Sequence, residues 1–419
     1  VADITAVKGV KDILPEEVPR WEEAERRFRA VFGNYGYREI RIPTFEDTQL
    51  FRRSIGEETD IVEKEMYTFT DKGGSSITLR PEGTASVVRA FIEHSMAHLP
   101  QPVKLFYLGP MFRHERPQKG RLRQFHQAGA EVFGLAGPEA EAELLEMVMQ
   151  LLTREFGLQD LSLQVNTLGD DACRPAYRQA LTGYLEIHRH GLCENCRRRL
   201  ERNPLRVLDC KAEGCRAIAR GAPVIGGVLC GECRSHFDRF LSLLDEAGVP
   251  HQVNPHLVRG LDYYTRTTFE VLGGSGLGAQ NAVAAGGRYD NLVAAFGGPP
   301  TPGLGFALGM ERLLALLPPE FAGTGPRVLY LAAADGEGRL LARSLARSQR
   351  ARGVAVALDL LGRSLKAQMR AADSMGAAWV VVLGAQEAAS GRCVLKEMTG
   401  GWREEIALAD LGTALERRM

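Results

Sequence analysis

The chain has 419 residues, 45% of them hydrophobic and 25% charged, with 52 basic and 52 acidic residues and a formal net charge of +0. That composition is ordinary for a soluble globular chain of two or three domains. No apolar run is long enough to cross a membrane and no signal-peptide pattern stands at Val1, so a cytoplasmic location is expected. With balanced charge, any contact with nucleic acid must come from local patches.

Residues 3 to 15 read as an extended leading segment. From about Glu16 to Tyr35, Val18, Trp21, Phe28, Val31 and Phe32 recur at helical spacing, and Gly33 and Gly36 end the helix. The strand YREIRIP follows and stops at Pro43. IGEETDIVEKEMYTF (55 to 69) is acidic, then apolar. MYTFTDKGGSSITLRPEGTA predicts a hairpin turning at 71–75, with its return strand running into a helix that starts near Pro81. Glu82 and Thr84 fall in the first turn of that helix. There Glu82 is either an acid at the positive end of the helix dipole or a ligand for an ammonium group.

Residues 103 to 133 predict a long hairpin, with an apolar and aromatic first arm (Val103, Leu105, Phe106, Tyr107) and a basic loop from Arg113 to Arg121. Pro117 and Gly120 in that loop argue against helix. On the return arm, residues two apart share a face, so Gln127, Gly129 and Glu131 lie together. An amide and a carboxylate flanking a side-chain-free gap make a floor on which a small polar ligand can approach the backbone. The loop arginines above it suit bidentate phosphate binding. The same residues also suit a half-buried hairpin with a solvated basic loop.

Glu139 to Phe156 reads as one helix, and LSLQVNTLGD as a strand ending in a turn. Composition then changes. Residues 170 to 250 predict an inserted helical module with 11 Lys and Arg against 7 Asp and Glu between Glu186 and Arg239. Such an excess is either an RNA contact or a solvated helix face. Six of the chain's eight cysteines fall here: Cys193 and Cys196, Cys210 and Cys215, Cys230 and Cys233. Two CxxC pairs in one small module suit tetrahedral thiolate zinc, with those pairs as first candidates, because structural disulfides are disfavoured in the cytoplasm. Cys173 and Cys393 read as buried thiols.

LVRGLDYYTRTTFEVL (257 to 272) predicts a strand with Tyr263, Thr265, Thr267, Phe269 and Val271 on one face and Asp262, Tyr264, Arg266, Thr268 and Glu270 on the other. So polar a face on a central strand lines a site or meets water. GAQNAVAAGGRYDNLVAAFGG (278 to 298) brings the Gly286–Gly287 turn and then Tyr289. TPGLGFALGMERLLALL (301 to 317) is a strand, then a helix with Arg312 just inside it; Gly303, Gly305 and Gly309 permit close approach by a ligand. After the linker PPEFAGTGPR, strands and helices alternate from Arg327, which implies a small α/β domain. Its charge is mildly positive, 14 Lys and Arg against 10 Asp and Glu.

FRHERPQKGRLRQFHQAGAE resembles motif 2 of the class II aminoacyl-tRNA synthetases, in the form found in histidyl-tRNA synthetase. TLRPEGT is similar to that family's segment for the histidine α-amino group, and VRGLDYY to its histidine-specific motif. The first helix, its strand and Pro43 resemble motif 1, the family's dimer interface; residues 301 to 317 resemble motif 3. NPLRVLDCK is similar to the insertion of the bacterial members, which lies over the tRNA acceptor arm, and GRSLKAQMRAAD fits the central helix of the anticodon-binding domain.

The resemblance implies an α+β fold: a class II antiparallel sheet flanked by helices over 1–169 and 251–325, a cysteine-rich helical insertion over 170–250, and an α/β anticodon-binding domain over 326–419. It implies histidine–tRNA ligation in a cytoplasmic homodimer: L-histidine, ATP with Mg2+ and tRNA(His) as partners, with AMP and pyrophosphate released. By the same resemblance Glu131 and Tyr264 fix the imidazole, Glu82, Thr84 and Gln127 hold the ammonium, and Tyr263 is a further histidine-binding residue. Arg113 and Arg259 hold the α-phosphate and carboxylate, and Arg121 and Arg312 the β- and γ-phosphates. Structural zinc stays separate from that chemistry. The main rival is a non-catalytic synthetase-like regulatory subunit of ATP phosphoribosyltransferase, a class with degraded arginine motifs and no C-terminal domain. The other rivals are a class II synthetase of different specificity and an RNA-binding protein without catalysis.

Overall fold

A computed structural model describes residues 4–418 save 57–58, 119, 275–280, 323–324 and 326. Lys119 of the basic loop, the start of the 278–298 run, part of the 55–69 segment and part of the Pro/Gly linker therefore lie outside the described residues. The chain forms two compact units, Val1–Phe321 and Ala322–Met419.

The first unit opens with α1 (Val18–Asn34), which has a proline in its first turn and buries Ala24, Phe28, Val31 and Phe32 along one face. The strand expected up to Pro43 is only β1 (Arg38–Glu39), paired parallel with Leu105 and Phe106. Then come β2 (Phe45–Asp47), α2 (Thr48–Ile55), β3 (Thr68–Thr70), β4 (Ser76–Leu79) and α3 (Thr84–Glu93). β2, β4 and β3 form a small antiparallel sheet. The long hairpin is β5 (Val103–Phe112) and β6 (Gln124–Phe133), in register from Val103 opposite Phe133 to Phe112 opposite Gln124. α4 (Glu139–Gln150) continues through a π-turn at Leu151–Glu155 to β7 (Ser162–Thr167).

The insertion carries α5 (Arg174–Ile187), α6 (Glu194–Arg202), α7 (Glu213–Arg220) and α8 (Gly231–Glu246). It has a core of its own around Leu181, Leu185, Cys196, Leu200 and Val207. The far half of α8 leaves that core: Phe237, Phe240 and Leu244 pack with α4 behind the main sheet. β8 (Gln252–Val253), β9 (Thr265–Leu272), β10 (Ala282–Arg288), α9 (Leu292–Ala295), β11 (Gly303–Gly309) and α10 (Met310–Leu316) complete the unit. Among the described residues, eight strands form the main sheet in the order β1-β5-β6-β11-β10-β9-β7-β8, antiparallel except at its two ends.

Behind that sheet Arg288 is fully buried. It donates to both oxygens of Glu141 at 2.6 and 3.0 Å and to Asp290 at 3.0 Å, while His236 bonds Glu141 at 2.7 Å. Burial alone would push the Glu141 carboxyl up; His236 and Arg288 overcome it and hold it near 2. Its stabilisation is present above the usual carboxylate range and is lost as pH falls toward 2. Glu141→Ala strands a buried guanidinium, so a loss of about 3–5 kcal/mol is expected in denaturant unfolding at neutral pH. A loss below about 1 kcal/mol would contradict that role.

The second unit is β12 (Leu329–Ala333), α11 (Gly336–Ala351), β13 (Val356–Leu358), α12 (Leu365–Ser374), β14 (Trp379–Leu383), α13 (Ala385–Ser390), β15 (Arg392–Glu397), β16 (Arg403–Ala407) and α14 (Leu411–Glu416). Its sheet runs β13-β12-β14-β15-β16, parallel across the first three strands and antiparallel beyond. The strand–helix alternation read from the sequence is thus present; α13, AQEAAS, is too short to carry a periodic signal. Among the described residues no helix is long and apolar enough to cross a membrane.

Candidate active site

One face of the main sheet floors a cavity of about 410 Å3 lined by Glu82, Thr84, Arg113, Arg121, Gln127, Arg259, Tyr263, Tyr264 and Arg312. Those are nine of the ten residues picked from the sequence. The tenth, Glu131, is wholly buried beneath the cavity wall. It accepts from the Thr84 hydroxyl at 2.7 Å and from the Tyr289 hydroxyl at 2.5 Å, and both of those residues line the cavity.

The glycines do a different job from the one expected. A Cβ at Gly129 would stand 2.3 Å from the Tyr107 ring, and one at Gly83 equally close. Tyr107 is the cross-strand neighbour of Gly129, so its ring fills the gap that the sequence offered to a ligand. Gly303 likewise makes room for the Tyr289 ring and Gly305 for the Glu131 carboxylate, 1.8 Å from where a Cβ would sit. Only Gly309 of that set faces the cavity without such a neighbour: the nearest atom to its Cβ position is Arg312 Cδ, at 3.8 Å. Gly129→Ala is expected to drive Tyr107 out of place, costing roughly 1–3 kcal/mol in thermal unfolding and histidine affinity with it. An alanine variant with unchanged stability and affinity would show that the ring has somewhere else to go.

The Glu82 carboxylate accepts from the backbone N–H groups of Thr84 at 2.6 Å and Ala85 at 3.0 Å, so it caps α3 as well as lining the cavity. Burial pushes its carboxyl up, against the pull of those N–H groups and of Arg113. Burial also pushes Glu131 up, to about 8; the Tyr289 and Thr84 hydroxyls oppose this and the charge of Glu82 adds to it. The Gln127 Oε1 is buried and has no hydrogen-bond partner among the described residues. A buried orphan acceptor at a cavity wall is what a ligand's donor satisfies.

Four arginines face the same space. Arg113 donates through Nε to the Pro81 carbonyl at 2.8 Å and lies over the Phe125 ring. Arg121 is 2.9 Å from Glu115, which also approaches Arg113 at 4.0 Å. Arg312 is held by the carbonyls of Ala282 at 2.8 Å and Gly120 at 3.2 Å. Its neighbour Glu311 accepts from the His126 N–H, which ties α10 to β6. Arg259 donates to Glu270 at 2.8 Å, and its Nε is buried with no partner among the described residues. Burial lowers the Arg259 pKa, but Glu270 and Tyr264 beside it raise it overall, so it stays charged.

The strict alternation expected over 263–271 is broken. β9 starts only at Thr265, its register with β10 shifts between Gly287 and Arg288, and Arg266 takes φ +47. Tyr263 and Tyr264 therefore both reach the cavity. Arg266 turns away from Tyr264 and Glu270, 3.5 Å from His236 behind the sheet. Three residues of the cavity lining were given no site role from the sequence: Tyr289, Glu270 as the Arg259 partner, and Glu115. The polar face drawn for β9 already held Glu270, but nothing local pairs it with Arg259. From the insertion, Asp209 and Lys211 join the cavity wall, and Arg206 docks on Asp262 at 2.9 Å and on the Gly260 carbonyl at 2.8 Å.

The cysteines also regroup. Cys193, Cys196, Cys210 and Cys215 form one cluster. Cys230 and Cys233 belong to another, completed by Cys173 and Asp170. The two CxxC pairs are thus in different sites, and Cys173 is more than a lone buried thiol. Spacing along the chain carried no sign that residue 173 folds back onto residue 230.

An antiparallel sheet flanked by helices, with an arginine-lined cavity over a buried acid, defines a class II aminoacyl-tRNA synthetase core. The family model described as histidyl-tRNA synthetase matches residues 9–313, and the anticodon binding domain model matches residues 328–418. The chain is 53% identical to the histidine–tRNA ligase of Trichlorobacter lovleyi over 97% of this chain and 96% of that one. It is 50% identical to that of Desulforudis audaxviator over 99% of both. The solved structure of apo Staphylococcus aureus histidyl-tRNA synthetase superposes with a TM-score of 0.82 at 38% identity, covering 98% of this chain and 99% of that one. The chain belongs to the histidyl-tRNA synthetase family.

Proposed function

We propose that the chain carries out its family's reaction, histidine–tRNA ligation, with the residues of this cavity in the following roles. Thr84, Tyr263, Tyr264 and Tyr289 surround the imidazole, and Glu131 anchors it. The two Glu131 oxygens accept from the Thr84 and Tyr289 hydroxyls, and so fix two of the residues that line the cavity. Glu82 and the orphan oxygen of Gln127 take the ammonium group.

The first chemical step is attack by the histidine carboxylate on the α-phosphorus of ATP, expelling pyrophosphate. Both reactants are anions, so positive charge must bridge them. Arg113 and Arg259 are placed to do so, held by the Pro81 carbonyl and Glu270 and needing little reorganisation. Arg121 and Arg312 receive the β- and γ-phosphates. ATP enters with its magnesium, and besides Glu82 the carboxylates lining the cavity, which would hold the ion, are Glu115, Asp209, Glu270 and Glu311. The adenylate is itself the activated species, so no side chain serves as a covalent nucleophile. A tRNA 3′ hydroxyl then takes the histidyl group and AMP leaves. Zinc has no step in this chemistry.

The observation that carries the reading is the convergence of four arginines and the histidine-side residues on a single cavity. That argues against a non-catalytic regulatory subunit, as does the match of residues 328–418 to an anticodon binding domain. The reading extends to a cytoplasmic homodimer built on α1 and β1, which light scattering would report as two chains per particle. The direct test is charging of a tRNA(His) transcript with labelled histidine. Charged tRNA is the expected result. None, from a folded chain that binds histidine and ATP, would contradict it.

A further inference from the structure

We infer that the chain holds two structural zinc ions of different coordination, and that the second clasps the two ends of the insertion together at its neck. The inference does not rest on the ligase roles above.

The first site is Cys193, Cys196, Cys210 and Cys215, whose sulfurs all lie within 4.8 Å of one another. Cys193 and Cys210 Sγ are 3.9 Å apart. Tetrahedral zinc with bonds of about 2.3 Å places its sulfurs about 3.8 Å apart, whereas a disulfide needs about 2.05 Å. All eight cysteines are free. Cys193 is the N-cap residue of α6, and its backbone N–H donates to the Cys215 sulfur at 3.2 Å. This site ties α6 to the start of α7.

The second site is Asp170, Cys173, Cys230 and Cys233, also with every ligand atom within 4.8 Å of the others. Again the capping cysteine of a helix, Cys230 of α8, donates its N–H to a sulfur of the same cluster, Cys173 at 3.1 Å. Cys173 and Cys233 are buried. The four residues come from the two places where the chain crosses between core and insertion. Asp170 and Cys173 stand where it leaves β7 for α5; Cys230 and Cys233 stand where α8 begins its return. One ion here closes the loop of the whole module at its neck.

That neck adjoins the histidine motif. The Arg266 N–H donates to the Gly169 carbonyl at 2.7 Å, and the Leu168 N–H donates to the Arg266 carbonyl at 2.6 Å. Arg174, next to Cys173, donates to the Tyr264 carbonyl. The clasp therefore holds the segment that positions Tyr263 and Tyr264, while the four-cysteine site ties α6 and α7 to the segment that carries Asp209 and Lys211 of the cavity wall.

The test is metal analysis of the full chain, purified without chelator and reloaded with zinc under anaerobic reducing conditions. About two zinc ions per chain are expected. Cys193→Ser with Cys196→Ser should leave one, and Cys230→Ser with Cys233→Ser should also leave one. Reloaded with cobalt, the first variant should keep a three-thiolate site and the second a four-thiolate site, with a proportionately stronger sulfur-to-cobalt band in the second. Histidine KM should rise several-fold in the Cys230/Cys233 variant. If a variant does not fold, the wild-type count and the wild-type cobalt band, seven thiolates over two ions, still decide. One ion or none in the wild type, iron in place of zinc, or both variants losing the same ion would overturn the assignment. A wild-type chain that takes up no zinc yet shows histidine-dependent exchange would leave the ligase reading standing and remove only this one.

Discussion

Arg259→His is expected to slow adenylate formation by roughly 10²–10³-fold while histidine affinity falls far less. Arg259 touches Glu270 through one nitrogen and leaves a buried Nε without a partner. A charge held ready in that way acts where charge changes, at the bridge between carboxylate and α-phosphate, rather than on the bound amino acid. A histidine side chain is shorter, and its imidazole is largely neutral at pH 7, so it supplies neither reach nor charge. Single-turnover adenylate formation and calorimetric histidine binding separate the two effects. Equal losses in both would make Arg259 a ground-state ligand only.

Glu131→Gln is the second large effect, with a loss of about 10² or more expected in kcat/KM for histidine. A site built around buried hydrogen-bonding groups discriminates strongly, because a wrong partner leaves those groups unpaired. The same variant has a second signature. With the folded carboxyl raised to about 8, the ligand-free protein binds more protons than the unfolded chain between the usual carboxylate range and pH 8. Its stability therefore falls as pH rises through that window and levels off above it. The glutamine variant lacks this slope. Denaturant unfolding at pH 6 and pH 8 reads it directly, and an identical slope in both proteins would mean that Glu131 is already ionised in the empty site.

Most of the site is legible in the sequence, because its residues sit in contiguous segments whose local patterns are strong. Gln127 and Glu131 alternate on a strand, and Glu82 and Thr84 stand at a helix start. The helix opens at Thr84 rather than near Pro81 and leaves Glu82 just ahead of it, where its carboxylate takes the first free N–H groups. What escapes the sequence is tertiary pairing. The glycines at 129, 303 and 305 looked like space for a ligand, and the fold spends that space on Tyr107, Tyr289 and Glu131. The alternation through Arg266 failed because a left-handed residue resets the strand at its first turn. Cys173 could not be joined to Cys230 until α5 and α8 met at the neck of the insertion. In the second unit the alternating pattern gave the strands and the first two helices, while α13 and α14, six residues each, are too short to carry a periodic signal.

ATP–pyrophosphate exchange, run without tRNA against each of the twenty amino acids, tests the central claim most directly. Exchange with histidine alone is expected: the cavity would then both activate a carboxylate and select an imidazole. Exchange with another amino acid, or none from folded protein that still binds histidine, would contradict the account.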